Sequence, residues 1–170
     1  MPQIETHLFT GDDSVPNNPA LPLVVYRGAL AGDGDRAAAC EAMFNRNRWP
    51  HPWRNGIYGH HHYHATAHEV LGIAAGWARV RLGGENGKSV ELSAGDVVVI
   101  PAGVAHKREA ASPDLLVIGS YPQGQRPDIC SAKPGAAART AAAVAAVPLP
   151  AADPVTGKAA PLLRCWRAKR

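Results

Sequence analysis

The chain has 170 residues, 46% of them hydrophobic and 19% charged, with 17 glycines and 15 prolines. That is enough for one packed core and too apolar for a disordered chain, and so many turn formers argue against a helical bundle. The net charge of +4 is uneven: residues 1–124 carry 10 Lys/Arg against 12 Asp/Glu, whereas residues 125–170 carry 8 against 2.

Arg164, Arg167, Lys169 and Arg170 belong to that C-terminal excess, but the run is short and interleaved only with Trp166. A solvated terminus is expected, with neither nucleic acid nor a membrane surface as partner. Cys40, Cys130 and Cys165 are widely spaced with no CxxC pair, which fits neither a disulfide framework nor a thiolate zinc site. The chain opens without a signal-peptide pattern, and no apolar run approaches the ~20 residues of a membrane helix. A cytoplasmic protein is expected.

In chain order, a short extended piece (Glu5 to Phe9) precedes the turn-rich GDDSVPNNP and an edge-type strand over Leu21 to Leu30. Residues 33–47 form the clearest helix. Asp33 or Asp35 caps it, Ala37, Cys40 and Phe44 share one face, and Trp49-Pro50 stops it. Such a helix would cover the outside of a sheet. Strands follow at about 57–64, 69–75, 77–82, 89–92, 97–100, 106–110 and 115–121. Short strands with Gly-rich turns at this spacing indicate a sandwich or small barrel. The Val-rich segment before Ile100 reads as a strand buried between two sheets. Beyond Gln123, the alanine-rich segment 135–146 is equally a short helix or a linker, and 147–155 an extended piece that docks back as a wrap. The division expected is a single domain over 1–170, with a barrel core of 56–121, an N-terminal strand and helix in 1–55 and a C-terminal wrap in 122–170.

Chemistry concentrates in GIYGHHHYHATAHEVLGIAAG, residues 56–76. In a strand, His62 and His64 point the same way, about 6 to 7 Å apart, with Glu69 entering after a short turn. Two imidazoles and a carboxylate begin a metal site, and His106, after the turn Pro101-Ala-Gly103, is the candidate fourth ligand. Neutral nitrogens plus one carboxylate suit divalent Fe, Mn, Ni, Co or Zn. His68 lies beside Glu69 and is an alternative ligand to it. His60 shares the parity of His62 and is a pocket-rim candidate, while His61 and Tyr63 have the opposite parity. Tyr63 is expected outside or against a partner subunit. Arg108 has the parity of His106, so it either aims at a substrate carboxylate or forms a rim ion pair. Ala78, Val80 and Leu82 should face inward and Arg79 and Arg81 outward, giving with Leu71 and Ile73 an apolar pocket.

The spacing Gly56, His62, His64, Glu69, Gly76, then Gly95, Pro101, Gly103, His106 resembles the two motifs of the cupin superfamily, with RmlC-like jelly-roll folds. The second motif departs only at its end, where Ala110 stands in place of Asn. The flanks PNNPALPL, WRNGIY and VPLPAADPVTGK are similar to small bacterial cupins of the YjlB type. The resemblance implies an all-β double-stranded β-helix with one metal held by His62, His64, Glu69 and His106, in a homodimer. The function expected is a metal-dependent enzyme on a small organic molecule, dioxygenase-like first and isomerase second. The alternative is a non-catalytic metal-dependent binding or storage protein.

Overall fold

The structure is a computed structural model and describes residues 2–167. Two antiparallel sheets face each other. The six-stranded sheet runs β1 (Gln3–Phe9), β2 (Asn18–Arg27), β8 (Val97–Ile100), β5 (Glu69–Ala75), β10 (Leu116–Ser120), β3 (Trp53–Asn55). The five-stranded sheet runs β11 (Cys130–Ser131), β4 (His62–Tyr63), β9 (His106–Ala111), β6 (Trp77–Leu82), β7 (Lys88–Ser93). The fold is an all-β jelly roll, and backbone hydrogen bonds do not close the two sheets into one barrel. Helices α1 (Arg36–Arg46), α2 (Ala136–Ala146) and α3 (Leu162–Arg167) lie outside it.

Strand alternation assigns each side chain to a layer. Leu23, Val25, Leu71, Ile73, Val98, Ile100 and Val117 meet Ala78, Val80, Leu82, Val90 and Leu92 between the sheets. On the outer face of the six-stranded sheet, Val24, Tyr26, Val70, Val97, Val99 and Ile118 pack under Cys40, Phe44, Leu162 and Trp166. The Val97–Ile100 run is therefore covered on one face by the opposite sheet and on the other by helices, not by two sheets. β2 is an interior strand, since β1 takes the edge beyond it.

Helix α1 starts where Asp35 accepts the Ala38 N–H at 3.0 Å, and it buries Ala37, Cys40 and Phe44. It can seat this closely because β5 carries Gly72 beneath it. A Cβ there would come 2.5 Å from the Cys40 sulfur, a contact no side chain tolerates. Helix α2 covers the five-stranded sheet, where Val15, Tyr63, Ala65, Ala102, Ala105, Ala136 and Val144 form a third cluster. Tyr63 is thus buried by this chain's own C-terminal segment, not exposed or held for a partner.

The C-terminal segment is more than a solvated tail. Leu162, Leu163 and Trp166 are buried, and the Trp166 indole N–H donates to the Pro22 carbonyl at 2.8 Å. Arg164 and Arg167 remain exposed, and Lys169 and Arg170 lie outside the described residues. Among the described residues, no helix is long and apolar enough to cross a membrane.

Candidate metal centre

The strand expected over 57–64 is only two residues long, and Gly56–His61 is a loop that dips Ile57 into the core before β4. β4 is nevertheless enough to place His62, which pairs directly across from His106 of β9. Their ring centroids are 4.1 Å apart, and each lies 5.9 Å from that of His64, just past the end of β4. Glu69 comes from the opposite sheet, as the first residue of β5.

All three histidines are buried, and one nitrogen of each lies within 4.8 Å of the others. Their orientation follows from the backbone. His62 Nδ1 lies 3.1 Å from the His60 carbonyl, His106 Nδ1 3.1 Å from the Val104 carbonyl, and His64 Nδ1 against the Asp128 carbonyl. A carbonyl oxygen only accepts, so each Nδ1 carries the proton and donates, leaving the Nε2 lone pairs free. Carbonyl contacts of this kind fix the tautomer and the ring of a metal-ligating histidine.

The carboxylate of Glu69 faces two of these lone pairs, at 3.2 Å from His106 Nε2 and 3.3 Å from His64 Nε2. Lone pair against carboxylate is repulsive unless a proton or a cation lies between them. The donor set therefore fits a divalent ion, and His62, His64 and His106 could hold one. Burial and the neighbouring His106 push His62 down to about 3, so its imidazole is neutral at ordinary pH. Where a proton rather than an ion lies between the groups, burial would raise the Glu69 carboxyl, but the charges and hydrogen bonds of His64 and His106 outweigh it and hold the group ionised. Burial likewise disfavours the charged form of His64, and the Glu69 carboxylate overrides it in the opposite direction.

The turn after β8 frames the ring. Gly103 has φ of 90°, its N–H donates to the His64 carbonyl at 2.8 Å, and a Cβ there would lie 2.4 Å from the Asn17 carbonyl oxygen. That backbone favours glycine. On the other side, one Asp128 carboxylate oxygen accepts from the Ala65 N–H at 2.7 Å, the Thr66 N–H at 3.2 Å and the Thr66 hydroxyl at 3.1 Å. Asp128→Ala keeps the carbonyl but frees the segment that carries His64. A fall in metal affinity of roughly tenfold to a hundredfold is expected, the range for groups behind the ligands, read by competition with a chromogenic chelator.

The remaining histidines separate. His68 is fully buried, but its ring lies tilted against Trp166 with centroids 4.6 Å apart, on the outer side of the six-stranded sheet. Its Nδ1 accepts the Ala102 N–H at 2.9 Å, and burial pushes it down to about 4. It is a neutral structural imidazole directed away from Glu69. His60 is exposed and stacks on Tyr58, and its carbonyl rather than its ring serves His62. His61 pairs with Glu85 at 2.6 Å.

A cavity of about 320 Å³ opens above the three rings. It is less apolar than the strand pattern suggests. Trp53, Ile57, Leu71 and Ile129 share its wall with Asn55, Tyr58, Arg108 and Tyr121, while Ile73 and Val80 belong to the core behind it. Burial and the adjacent Glu69 push the Tyr121 phenol well up, so it stays a proton donor. Sequence reasoning missed Tyr121 and Asp128. Neither belongs to a motif, and Asp128 reaches His64 through a backbone atom that any residue type possesses.

The Cupin domain family model matches residues 53–118. An uncharacterized protein of Bacillus subtilis (strain 168), YjlB, is 40% identical over 164 residues, which are 96% of this chain and 97% of that one. Two solved structures align more loosely. Acireductone dioxygenase from Bacillus anthracis, with cadmium ion in its active center, is 18% identical with a TM-score of 0.40, over 55% of this chain and 64% of that one. Procruciferin, an 11S globulin from Brassica napus, is 23% identical with a TM-score of 0.39, over 47% of this chain and 21% of that one. Alignments this partial carry nothing about activity. Identity to YjlB along nearly the whole length, with the cupin match spanning all three histidines, means that this chain belongs to the cupin family, in the group of YjlB.

Proposed function

We propose that His62, His64, His106 and Glu69 hold one divalent transition metal, and that the chain is a metal-dependent enzyme oxidising a small organic molecule with dioxygen. One observation supports this most. Three Nδ1–H groups are spent on backbone carbonyls, so three Nε2 lone pairs converge beneath an open cavity. A structural site would be closed on all sides, whereas four protein ligands leave positions of a six-coordinate ion facing that cavity. The metal supplies Lewis acidity and, when it is iron, one-electron chemistry.

The chain's own residues do the rest. Glu69 contributes one negative charge, which leaves the ion with net positive charge to attract an oxygen-bearing ligand. Trp53, Ile57 and Leu71 form an apolar wall that limits water around a bound molecule. Tyr121, held protonated, can donate a hydrogen bond to an oxygen of the substrate.

Elemental analysis of untagged protein, followed by oxygen uptake with a panel of acids, thiols and diketones, tests the reading. Stoichiometric iron with substrate-dependent uptake is the expected result. Tightly held zinc or nickel without turnover would make it a binding or storage protein, and absence of stoichiometric metal would overturn the site itself.

A further inference from the structure

Metal binding gives Arg108 no role, yet its side chain lines the same cavity as the three histidines. It lies two residues beyond His106 on β9, so the two side chains share a face about 6 to 7 Å apart along the strand. Its backbone N–H donates to the Tyr58 carbonyl at 2.9 Å, which pins β9 against the 56–59 loop. One guanidinium nitrogen lies 3.4 Å from where a side chain on Gly59 would begin, so the group rests over bare backbone.

Its place is what singles it out: it is the one arginine or lysine among the described side chains that line this cavity. Arg27 is paired with Glu5 and Asp96, Arg54 with Glu41 and Arg81 with Glu109. Among the described residues, no carboxylate lies within ion-pair distance of Arg108. A guanidinium offers a rigid two-pronged donor that matches a carboxylate. Phosphate sites gather backbone N–H groups or several cations, and the other side chains on this wall (Asn55, Tyr58, Trp53, Ile57) are neutral. The volume of about 320 Å³ is at the small end for ligand pockets.

We infer that the substrate is a small carboxylic acid, its carboxylate held by Arg108 and its other, oxygen-bearing end reaching toward His62, His64 and His106. The second half of that statement rests on the metal reading above; the first does not.

The test is calorimetric titration of the metal-loaded protein with levulinate, pyruvate and lactate, with the methyl ester of each, and with methyl phosphate. At least one acid should bind, its ester at least tenfold more weakly. Arg108→Gln should weaken the acid roughly tenfold to a hundredfold, the worth of a charge-assisted hydrogen bond. It should leave metal content, ester affinity and melting temperature unchanged, because the side chain is exposed. Arg108→Lys should recover part of the loss. Binding by none of the acids, equal binding of acids and esters, an unaffected Arg108→Gln variant or tighter binding of methyl phosphate would each overturn the assignment. A wild-type protein without metal would overturn only the metal reading, since acid-over-ester preference still reports on Arg108.

Discussion

His106→Ala is expected to abolish stoichiometric metal, lowering affinity by at least roughly a hundredfold. Four-ligand structural zinc sites are worth about 10 to 16 kcal/mol, so one ligand of four accounts for about 3 kcal/mol or more. The loss should exceed that average, because His106 also stands against two other members of the set. Its ring stands 4.1 Å from that of His62, and its Nε2 faces Glu69 at 3.2 Å. Folding should survive. The removed imidazole borders an open cavity that water can fill, so the cost in stability should stay at about 1 to 2 kcal/mol. Inductively coupled plasma analysis after dialysis reads the metal, and urea unfolding reads the stability. His64→Ala should behave alike, and Glu69→Gln, which keeps the shape and removes the charge, should keep more metal than either. Wild-type metal content in both histidine variants would remove the basis for the site.

The second large effect lies on the opposite face of the six-stranded sheet. Asp153 is fully buried and accepts four hydrogen bonds. They come from the Tyr26 hydroxyl at 2.6 Å, the Leu162 N–H at 3.0 Å, the Val155 N–H at 2.7 Å and the Thr156 N–H at 3.0 Å. Burial and the Asp153 carboxylate push the Tyr26 phenol far up, so it donates at any working pH. Asp153→Ala strands the two buried donors, the Tyr26 hydroxyl and the Leu162 N–H, away from water at about 1 to 3 kcal/mol each. A total loss of at least about 3 kcal/mol in urea unfolding is expected. Hydrogen exchange should quicken first in α3, whose Trp166 packs on β2 through the Pro22 carbonyl. Metal content should hold, because the proposed ligands face the cavity between the sheets. A loss below about 1 kcal/mol would show that the wrap is held by apolar contact alone.

Sequence reading succeeded where one face was buried and one was wet. Arg79 and Arg81 alternate with Ala78, Val80 and Leu82, so β6 declares its inner face. Helix α1 announced its cap and its apolar stripe in the same way. Val97–Ile100 was ambiguous about its neighbours because both faces are covered, and an all-apolar run carries no period. The HHYH run suggested a longer strand than exists, since alternation of histidines fits a loop whose carbonyls turn back on their rings equally well. Trp166 was hidden by its company. Four basic residues around it read as a solvated end, while Leu162 and Trp166, four apart on α3, are its packing face. The histidines that converge are those the two motifs single out. The groups that aim them are backbone carbonyls, which no residue pattern records.

That last point bears on the order in which the chain is made. Asp128 lies ten residues past the segment that the cupin model matches, yet its carbonyl selects the His64 tautomer and its carboxylate braces Ala65 and Thr66. A nascent chain that has just exposed His106 already displays every proposed donor, with His64 still free to turn either nitrogen outward. If those donors hold an ion as proposed, full affinity should require the next stretch of polypeptide, through Asp128.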